Sequence, residues 1–439
     1  MDREKKDGLM KGAAQIALGG FLAKVIGAVY RIPLTNILGG EGIGLYQLVY
    51  PFYCLLLTVS ATGIPSAIAK LVAEKRAKGL SPYPLFKTAM RIFLLIGGTS
   101  TLLMIAFSPF LSAAQGEREL WRGYVALSPS VFLVSAISVL RGYFQGHGEM
   151  FPTASSEVIE QLVKVGVGLS AAWLFRGQLL TAVTALLGAV SVSELVTLGY
   201  LFLRYRRRRA SLKEEKWGGQ VRAKQVLSLS LPVTLASLLL PLSGLLDSVI
   251  LVRLLKGYAE NAVALFGLFS GGAVTIVNLP VSVCYGVATA SVPAVARAAA
   301  LGRGVKKKIA RSLGLTFLLS ALAAVGLYFL ADVAVRLVYR SLSESETQTL
   351  VRLVKLFSVS AVTLSCTQTL SASLTALGKP MRSAFSMTIA VAVKTALGIV
   401  LVREASVSVY GAAIAADVGY FVAALLNLFF VFFTARKRK

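Results

Sequence analysis

The stretch "LRGYFQGHGEMFPTASSEVIEQLVKVGVGLS", residues 140–170, has a related stretch 230 residues later in the chain. The second copy, "LSASLTALGKPMRSAFSMTIAVAVKTALGIV" at 370–400, aligns with the first without a gap. Eight of the 31 positions are identical, and Lys164 and Lys394 are one of the identical pairs. A lysine at the same place in two apolar stretches indicates that the chain consists of two related halves.

The composition predicts an all-α, polytopic membrane protein. Of the 439 residues, 56% are hydrophobic and only 15% are charged, and the mean hydropathy is +0.73. A soluble domain cannot bury that much apolar surface. Apolar runs of about 20 residues or more, each long enough to cross the hydrocarbon core as a helix, predict about 12 transmembrane helices. We place them near residues 9–32, 46–69, 88–113, 123–144, 157–175, 180–203, 227–252, 262–290, 310–332, 354–377, 384–403 and 410–434.

Positive charge is concentrated in the segments that join these predicted helices. The chain has 46 Lys and Arg residues against 20 Asp and Glu. If the N-terminus is cytoplasmic and the helices alternate, the basic segments 70–79, 204–224 and 297–311 and both termini lie on the cytoplasmic side. Because this bias sets orientation during insertion, the excess charge reflects topology rather than nucleic-acid binding. It should also attract the anionic lipid of the inner leaflet.

The basic linker 204–224 divides the predicted helices six and six. We therefore expect an N-terminal six-helix bundle over 1–210, ending in this cytoplasmic linker, and a C-terminal bundle over 211–439. An even number of spans gives both bundles the same orientation, so a pseudo-twofold axis should follow the membrane normal and the seam should form a central cavity. We expect the protein to be a monomer.

The sequence contains no recognisable catalytic or metal-binding pattern. The glycine-rich stretch "LGGEGIGLY" at 38–46 matches neither a dinucleotide-binding nor a phosphate-binding loop, and we interpret it as an external turn between the first two helices. Cys54, Cys284 and Cys366 lie in apolar runs at unrelated spacings, and the single histidine, His147, cannot build a metal site with them. We expect no cofactor, no metal and no enzymatic activity.

Ionisable residues deep in apolar runs are the candidate functional residues. Each costs about 2.5–3.5 kcal/mol at a helix centre on insertion scales, so a partner or a wet cavity is expected. Lys24, Lys164, Lys394 and Glu194 lie near the middle of their runs, and Asp247 and Asp417 lie somewhat towards the outer side. Nearer the helix ends, where long side chains reach the interface, lie Arg31, Arg91, Arg141 and Asp332.

The two repeated lysines have different neighbours. Glu160 precedes Lys164 by one helical turn, so an intrahelical salt bridge and a wall of an anion site are both open interpretations. The residue at the matching position before Lys394 is Ala390. The partner of Lys394 must therefore come from another helix, with Asp247 the first candidate, or from the cargo. Lysines lining one seam predict a cationic cavity that suits a phosphate-bearing substrate.

Two motifs resemble a known family. "GFLAKVIGAVYRIPLTNILGGEGIGLYQLVYP" (20–51) and "RGYFQGHGEMFPTASSEVIEQLVKV" (141–165) resemble the stage V sporulation protein B branch of the polysaccharide transporters. That branch is grouped with the lipid II flippase and the multidrug (MATE) exporters in one superfamily of two six-helix bundles. The resemblance implies outward movement of a lipid-linked, diphosphate-bearing oligosaccharide or cell-wall precursor by alternating access.

The resemblance also implies roles for single residues. It places Lys24 and Arg31 at basic positions of the first helix and Asp247 at the acidic position of the seventh, and Lys164 stands where relatives usually have arginine. The predicted substrate-binding residues are Lys24, Arg31, Lys164 and Lys394, and the predicted charge-pairing or coupling residues are Glu160, Asp247, Glu194 and Asp417. A lysine near Asp247 could replace a bound sodium ion, so sodium coupling is not carried over. Many relatives have fourteen helices. The resemblance does not indicate where a lipid tail would bind in a protein with twelve helices.

Three other functions are compatible with parts of this pattern. A cation-coupled MATE-like multidrug exporter would share the fold, but a cationic cavity argues against it. A membrane-embedded glycosyl or phosphoglycosyl transferase would need an acidic metal-binding loop. A non-transporting assembly scaffold would not need charges at the centre of its helices.

Overall fold

The computed structural model describes residues 29–211, 223–301 and 304–436, together with 15, 18–20, 22, 23 and 25–27. The long elements are all helices, as predicted, and the described residues between 18 and 29 are helical as well. The helices are α1 Arg31–Ala61, α2 Ile64–Ala77, α3 Tyr83–Ala114, α4 Trp121–Gly146, α5 Phe151–Leu174, α6 Leu179–Ser211, α7 Ala223–Ser237, α8 Leu239–Leu255, α9 Ala262–Gly267, α10 Val274–Ala300, α11 Val305–Val338, α12 Glu344–Ala376, α13 Pro380–Arg403 and α14 Tyr410–Arg436. A 3-10 turn, Arg118–Leu120, precedes α4, and a π-helical turn, Leu268–Ala273, joins α9 to α10.

The described helices confirm a polytopic membrane protein. Nine helical stretches of the described chain are long and apolar enough to span a membrane, and the first, Leu18–Ala77, covers 60 residues and two predicted spans. Each of the twelve predicted runs overlaps a helix. Helix α5 is not one of these nine stretches because Glu157, Glu160 and Lys164 make it too polar. Helices α7 and α8 are not among them because each is too short.

The glycine-rich stretch 38–46 contains a break in helical geometry at Gly39, where two helices meet, and its interpretation as an external turn stays a prediction. Within α1 only Gly39, with φ 70° and ψ −175°, departs from helical geometry. A Cβ at Gly44 would lie 2.1 Å from the carbonyl oxygen of Val263 in α9. Glycine at position 44 lets two helix backbones approach closely.

The predicted seventh span, 227–252, is divided at Leu238 into α7 and α8. Pro241 lies in the first turn of α8, where it has no N–H to donate to the carbonyl of Ser237 and its ring crowds that turn. As a result Asp247 lies on a separate helix of 17 residues.

The chain packs as two compact units. The first comprises Met1–Tyr30 and Val49–Leu242, and the second comprises Arg31–Leu48 and Ser243–Lys439. These bounds differ from a division at residue 210, because the first part of α1 packs with the later helices and α7 packs with the earlier ones. Six-helix bundles over 1–210 and 211–439 therefore stay a prediction.

Each unit repeats the same packing order. In the first, α4 packs against α2, α3 and α6, and α5 packs against α6. In the second, α12 packs against α10, α11 and α14, and α13 packs against α14. Helices α5 and α13 carry the repeated lysines, so the internal repeat in the sequence corresponds to a repeat in helix packing.

Candidate functional site

A buried ion pair joins α13 to α8 in the second unit. The Nζ of Lys394 donates to a carboxylate oxygen of Asp247 and, at 3.0 Å, to the hydroxyl of Ser243. The side chains of Lys394 and Asp247 are only 11% and 14% exposed. This contact was predicted from the alanine that occupies the position one turn before Lys394. An unpaired charge at this depth would cost several kcal/mol, so the two residues stabilise each other's charged form.

A glycine in α14 positions the stem of Lys394. A Cβ at Gly419 would lie 2.9 Å from the Cβ of Lys394 and 2.9 Å from the carbonyl oxygen of Ala390. With no side chain at this point, α14 packs directly on the lysine stem. The stem is therefore held between α14 and α8, and its ammonium group meets Asp247.

Asp417, also on α14, has a different kind of partner. Its carboxylate accepts a hydrogen bond from the hydroxyl of Ser360 on α12. Within residues 29–211, 223–301 and 304–436, no lysine or arginine forms an ion pair with Asp417. A carboxylate held by a hydroxyl can take up a proton or a cation more readily than one that is already paired.

The first unit contains a second buried ion pair, between α4 and α5. The Nη2 of Arg141 lies 2.9 Å from Glu160 Oε2, and its Nε donates to Ser156 at 2.9 Å. The two charged side chains are 14% and 19% exposed. The prediction that Arg141 reaches the membrane interface is therefore wrong. The sequence did contain a signal for this contact. Arg141 and Ser156 lie equally far on either side of the turn at Gly148 and Glu149, so two helices that meet at this turn place them side by side.

Glu194 on α6 completes this cluster. It is only 3% exposed, and Arg141, Glu160 and Lys164 all lie within electrostatic range of it. Its Oε2 has no hydrogen-bond partner in the described part of the chain. The cluster thus contains two cations and two carboxylates, so an anion that binds Lys164 must compete with a carboxylate.

The other predicted cations lie elsewhere. The Nη1 of Arg31 donates to Thr275 of α10 at 2.6 Å, which ties the start of α1 to the second unit. Lys24 is outside the described residues. The structure therefore assigns Lys164 to the first unit and Arg31 and Lys394 to the second, and their membership of one cationic cavity stays a prediction.

Metal binding has no support in the described residues, where no group of three or more His, Cys, Asp or Glu is placed to hold an ion. Cys54, Cys284 and Cys366, all within the described part of the chain, form no disulfide.

Comparison with known proteins identifies the family. The pattern of the family described as "Polysaccharide biosynthesis protein" matches residues 9–299, which is well over half of the chain. The chain belongs to the polysaccharide biosynthesis protein family. This family member is 29% identical over 441 residues to stage V sporulation protein B of Bacillus subtilis (strain 168), across 96% of this chain and 83% of the relative. It is 30% identical over 219 residues to the lipid II flippase of the same organism, across 46% of this chain and 40% of the relative.

The fold of the family member is that of a known transporter superfamily. It matches a multidrug resistance MATE family transporter of the MOP superfamily with a TM-score of 0.79, at 16% identity and over 95% of each chain. The polysaccharide biosynthesis protein described here is thus a multi-pass membrane protein with the fold of that transporter, and the all-helical membrane fold was predicted from the sequence.

Proposed function

We propose that this transporter moves a lipid-linked, diphosphate-bearing oligosaccharide or cell-wall precursor from the inner to the outer leaflet by alternating access. The observation that carries the proposal is the ion pair of Lys394 and Asp247 on different helices. Two charges on one helix stay close because one backbone holds both. Lys394 and Asp247 lie on different helices, so each can leave the other when a new partner binds. The family membership and the 30% identity to a lipid II flippase support the same class of substrate.

The mechanism follows from competition for the lysine. A diphosphate that approaches Lys394 offers a doubly charged partner in place of the Asp247 carboxylate. Binding would release α8 from α13, because the ion pair is their charged link. Lys164 would respond in the same way in the first unit, where Glu160 and Glu194 are the competing carboxylates. Exchange of helix partners on loading is a physical means of coupling occupancy to a change of access.

Membrane potential would favour the loaded step. Moving negative charge outward across an inside-negative membrane gains about 2.3 kcal/mol per elementary charge per 100 mV. In the empty transporter Asp247 compensates the charge of Lys394, so the return step should depend on potential less than the loaded step does. The proposal also holds that the transporter acts as a monomer among membrane lipids, with both termini cytoplasmic.

The test is flipping in proteoliposomes of a polyprenyl-diphosphate disaccharide labelled on the sugar. Lys394→Gln should slow flipping at least tenfold, and Lys307→Gln, a loss of the same charge at an exposed position in α11, should not. An imposed potassium diffusion potential, negative inside, should accelerate outward flipping. Flipping that ignores the potential and requires a sodium or proton gradient would reject potential-driven transport.

A cation-coupled multidrug exporter is the second candidate, and Asp417 is the observation that favours it. This carboxylate is held by Ser360 and has no cationic partner in the described residues, so it is suited to a coupling proton or cation. Efflux of a cationic dye that depends on a gradient and is abolished by Asp417→Asn would support the exporter. Labelled diphosphate disaccharide would then remain in the inner leaflet.

A further inference from the structure

A cavity in the first unit has none of the residues of the Lys394–Asp247 and Arg141–Glu160 pairs in its lining. Its volume is about 490 Å³, and it opens between the α4–α5 turn and the last turns of α6. One wall carries Arg204, Arg207 and Arg208, and the other is formed by residues 148–152. This volume is in the range of small-molecule sites and larger than a single phosphate ion needs.

The positive charge of this cavity is only partly compensated. Arg208 contacts the carboxylate of Glu149, the acidic residue of the lining. Arg204 lies over the rings of Phe151 and Tyr200, each at 5.8 Å. Neither Arg204 nor Arg207 forms an ion pair with any residue that the structure describes. Two guanidinium groups thus face one space without a counter-ion from the described chain.

The lining indicates the chemistry of a ligand. A guanidinium presents a planar fork of donors that matches phosphate oxygens in pairs. The first turn of α5 adds a helix N-terminus, which favours negative charge. Met150 and Phe151 also line the cavity, and Phe151 is 54% exposed, so apolar groups stand beside the cations. Since Leu179–Arg208 is a candidate membrane span, these arginines lie where a span ends and headgroups begin.

We propose that this cavity binds the phosphate of an anionic lipid headgroup, with Arg204 and Arg207 as the phosphate ligands. The bound headgroup would link the start of α5 to the end of α6. Those helices carry Lys164 and Glu194, so occupancy would fix the register of the polar cluster between them. The site is independent of the transported substrate, and its failure would leave the proposed flipping untouched.

The experiment uses the full chain in nanodiscs of phosphatidylcholine with increasing fractions of phosphatidylglycerol. The readouts are the phosphatidylglycerol retained per protein after delipidation, by mass spectrometry, and the midpoint of thermal unfolding. Arg207→Gln and Arg204→Gln should each weaken retention about tenfold, or about 1.4 kcal/mol, because each removes a charge-assisted hydrogen bond to the phosphate. Arg206→Gln is the matched control, because it removes the same charge from the same turn and its side chain does not line the cavity.

Three results would overturn the proposal. Equal losses of retained phosphatidylglycerol in Arg206→Gln and Arg207→Gln would mean that only a non-specific attraction between basic residues and anionic lipid holds the lipid. Equal retention of phosphatidylcholine and phosphatidylglycerol by the wild type would mean that the site does not select phosphate charge. The third arm adds soluble glycerol 3-phosphate, which carries the same phosphate ester without acyl chains. Thermal protection by it at micromolar concentration, with no retained lipid, would assign the site to a free organic phosphate instead.

Discussion

Lys394 on α13 and Asp247 on α8 lie 147 positions apart in the chain and form a buried ion pair. Removing either partner leaves the other charge buried, so Lys394→Gln or Asp247→Asn should lower the free energy of unfolding by about 3–5 kcal/mol. Replacing both, Lys394→Met with Asp247→Leu, should restore most of that stability, because an apolar pair leaves no charge to solvate. Thermal unfolding in detergent measures both effects.

The same double variant separates a structural from a transport role for the pair. If Lys394 binds substrate, the stable Lys394→Met, Asp247→Leu protein should not flip the labelled diphosphate disaccharide. Near-normal flipping by this variant would mean that the pair stabilises the fold and does not take part in transport. The exchanged pair, Lys394→Asp with Asp247→Lys, should recover more function than either single change, because the coupling belongs to the pair.

Arg141 should be the main structural partner of Glu160. Arg141→Gln should lower the free energy of unfolding by about 3 kcal/mol because it removes the ion-pair partner of the buried Glu160 carboxylate. Arg122→Gln is the control, since its ion pair with Glu119 is more than half exposed and should contribute less than about 1 kcal/mol. Similar losses in the two variants, measured by thermal unfolding, would contradict a buried role for Arg141.

The glycines of α1 should tolerate alanine poorly. Gly39→Ala should cost about 1–3 kcal/mol, because its φ of 70° with ψ of −175° is reached almost only by glycine. Gly44→Ala should cost at least as much, since the new Cβ would meet the Val263 carbonyl. Gly199→Ala in α6, where nothing lies within 4 Å of the new Cβ, should be neutral or stabilising. If Gly199→Ala lowered the unfolding midpoint as much as Gly39→Ala and Gly44→Ala do, the helix packing described here would be refuted.

His147, the single histidine, should make stability depend on pH. Its Nδ1 donates to the Tyr143 carbonyl at 2.9 Å, and burial, with Arg208 and Arg76 nearby, lowers its pKa from 6.5 to about 4. Between pH 6.5 and 4 the unfolded chain therefore binds the proton and the folded protein does not. Stability should fall by about 2–3 kcal/mol as the pH falls through this window.

His147→Asn isolates this contribution, because its amide can donate to the same carbonyl and does not titrate. Unfolding midpoints from pH 7 to pH 4 should fall less steeply in the variant than in the wild type. Parallel curves would mean that His147 is protonated in the folded protein as readily as in the unfolded chain.

The orientation in the membrane is testable by cysteine labelling. After Cys54, Cys284 and Cys366 are replaced by serine, Lys213→Cys in the basic linker should react only with a reagent that enters the cytoplasm. Gln178→Cys, in the turn between α5 and α6, should react from outside. The reverse pattern would overturn the predicted topology, because charge bias would then not have set the orientation.

The sequence by itself determined the class of protein, the approximate places of the helices and the relation between the two halves. Hydropathy predicts the helices because a helix in lipid must form all of its backbone hydrogen bonds internally and cover the backbone with apolar side chains. The sequence also indicated that Lys394 needs a partner from another helix, since its own helix has Ala390 where Lys164 has Glu160.

The contacts between residues that are distant in the chain become visible in the folded protein. Arg141 is paired with Glu160, the stretch 38–46 is a packing surface of α1, and residues 31–48 belong with the later helices. Hydropathy reports how deep a residue lies along its own helix, whereas these contacts depend on the rotation and approach of neighbouring helices. Those are set by side-chain packing and by small residues such as Gly44 and Gly419, each of which lets its helix pack closely on another helix.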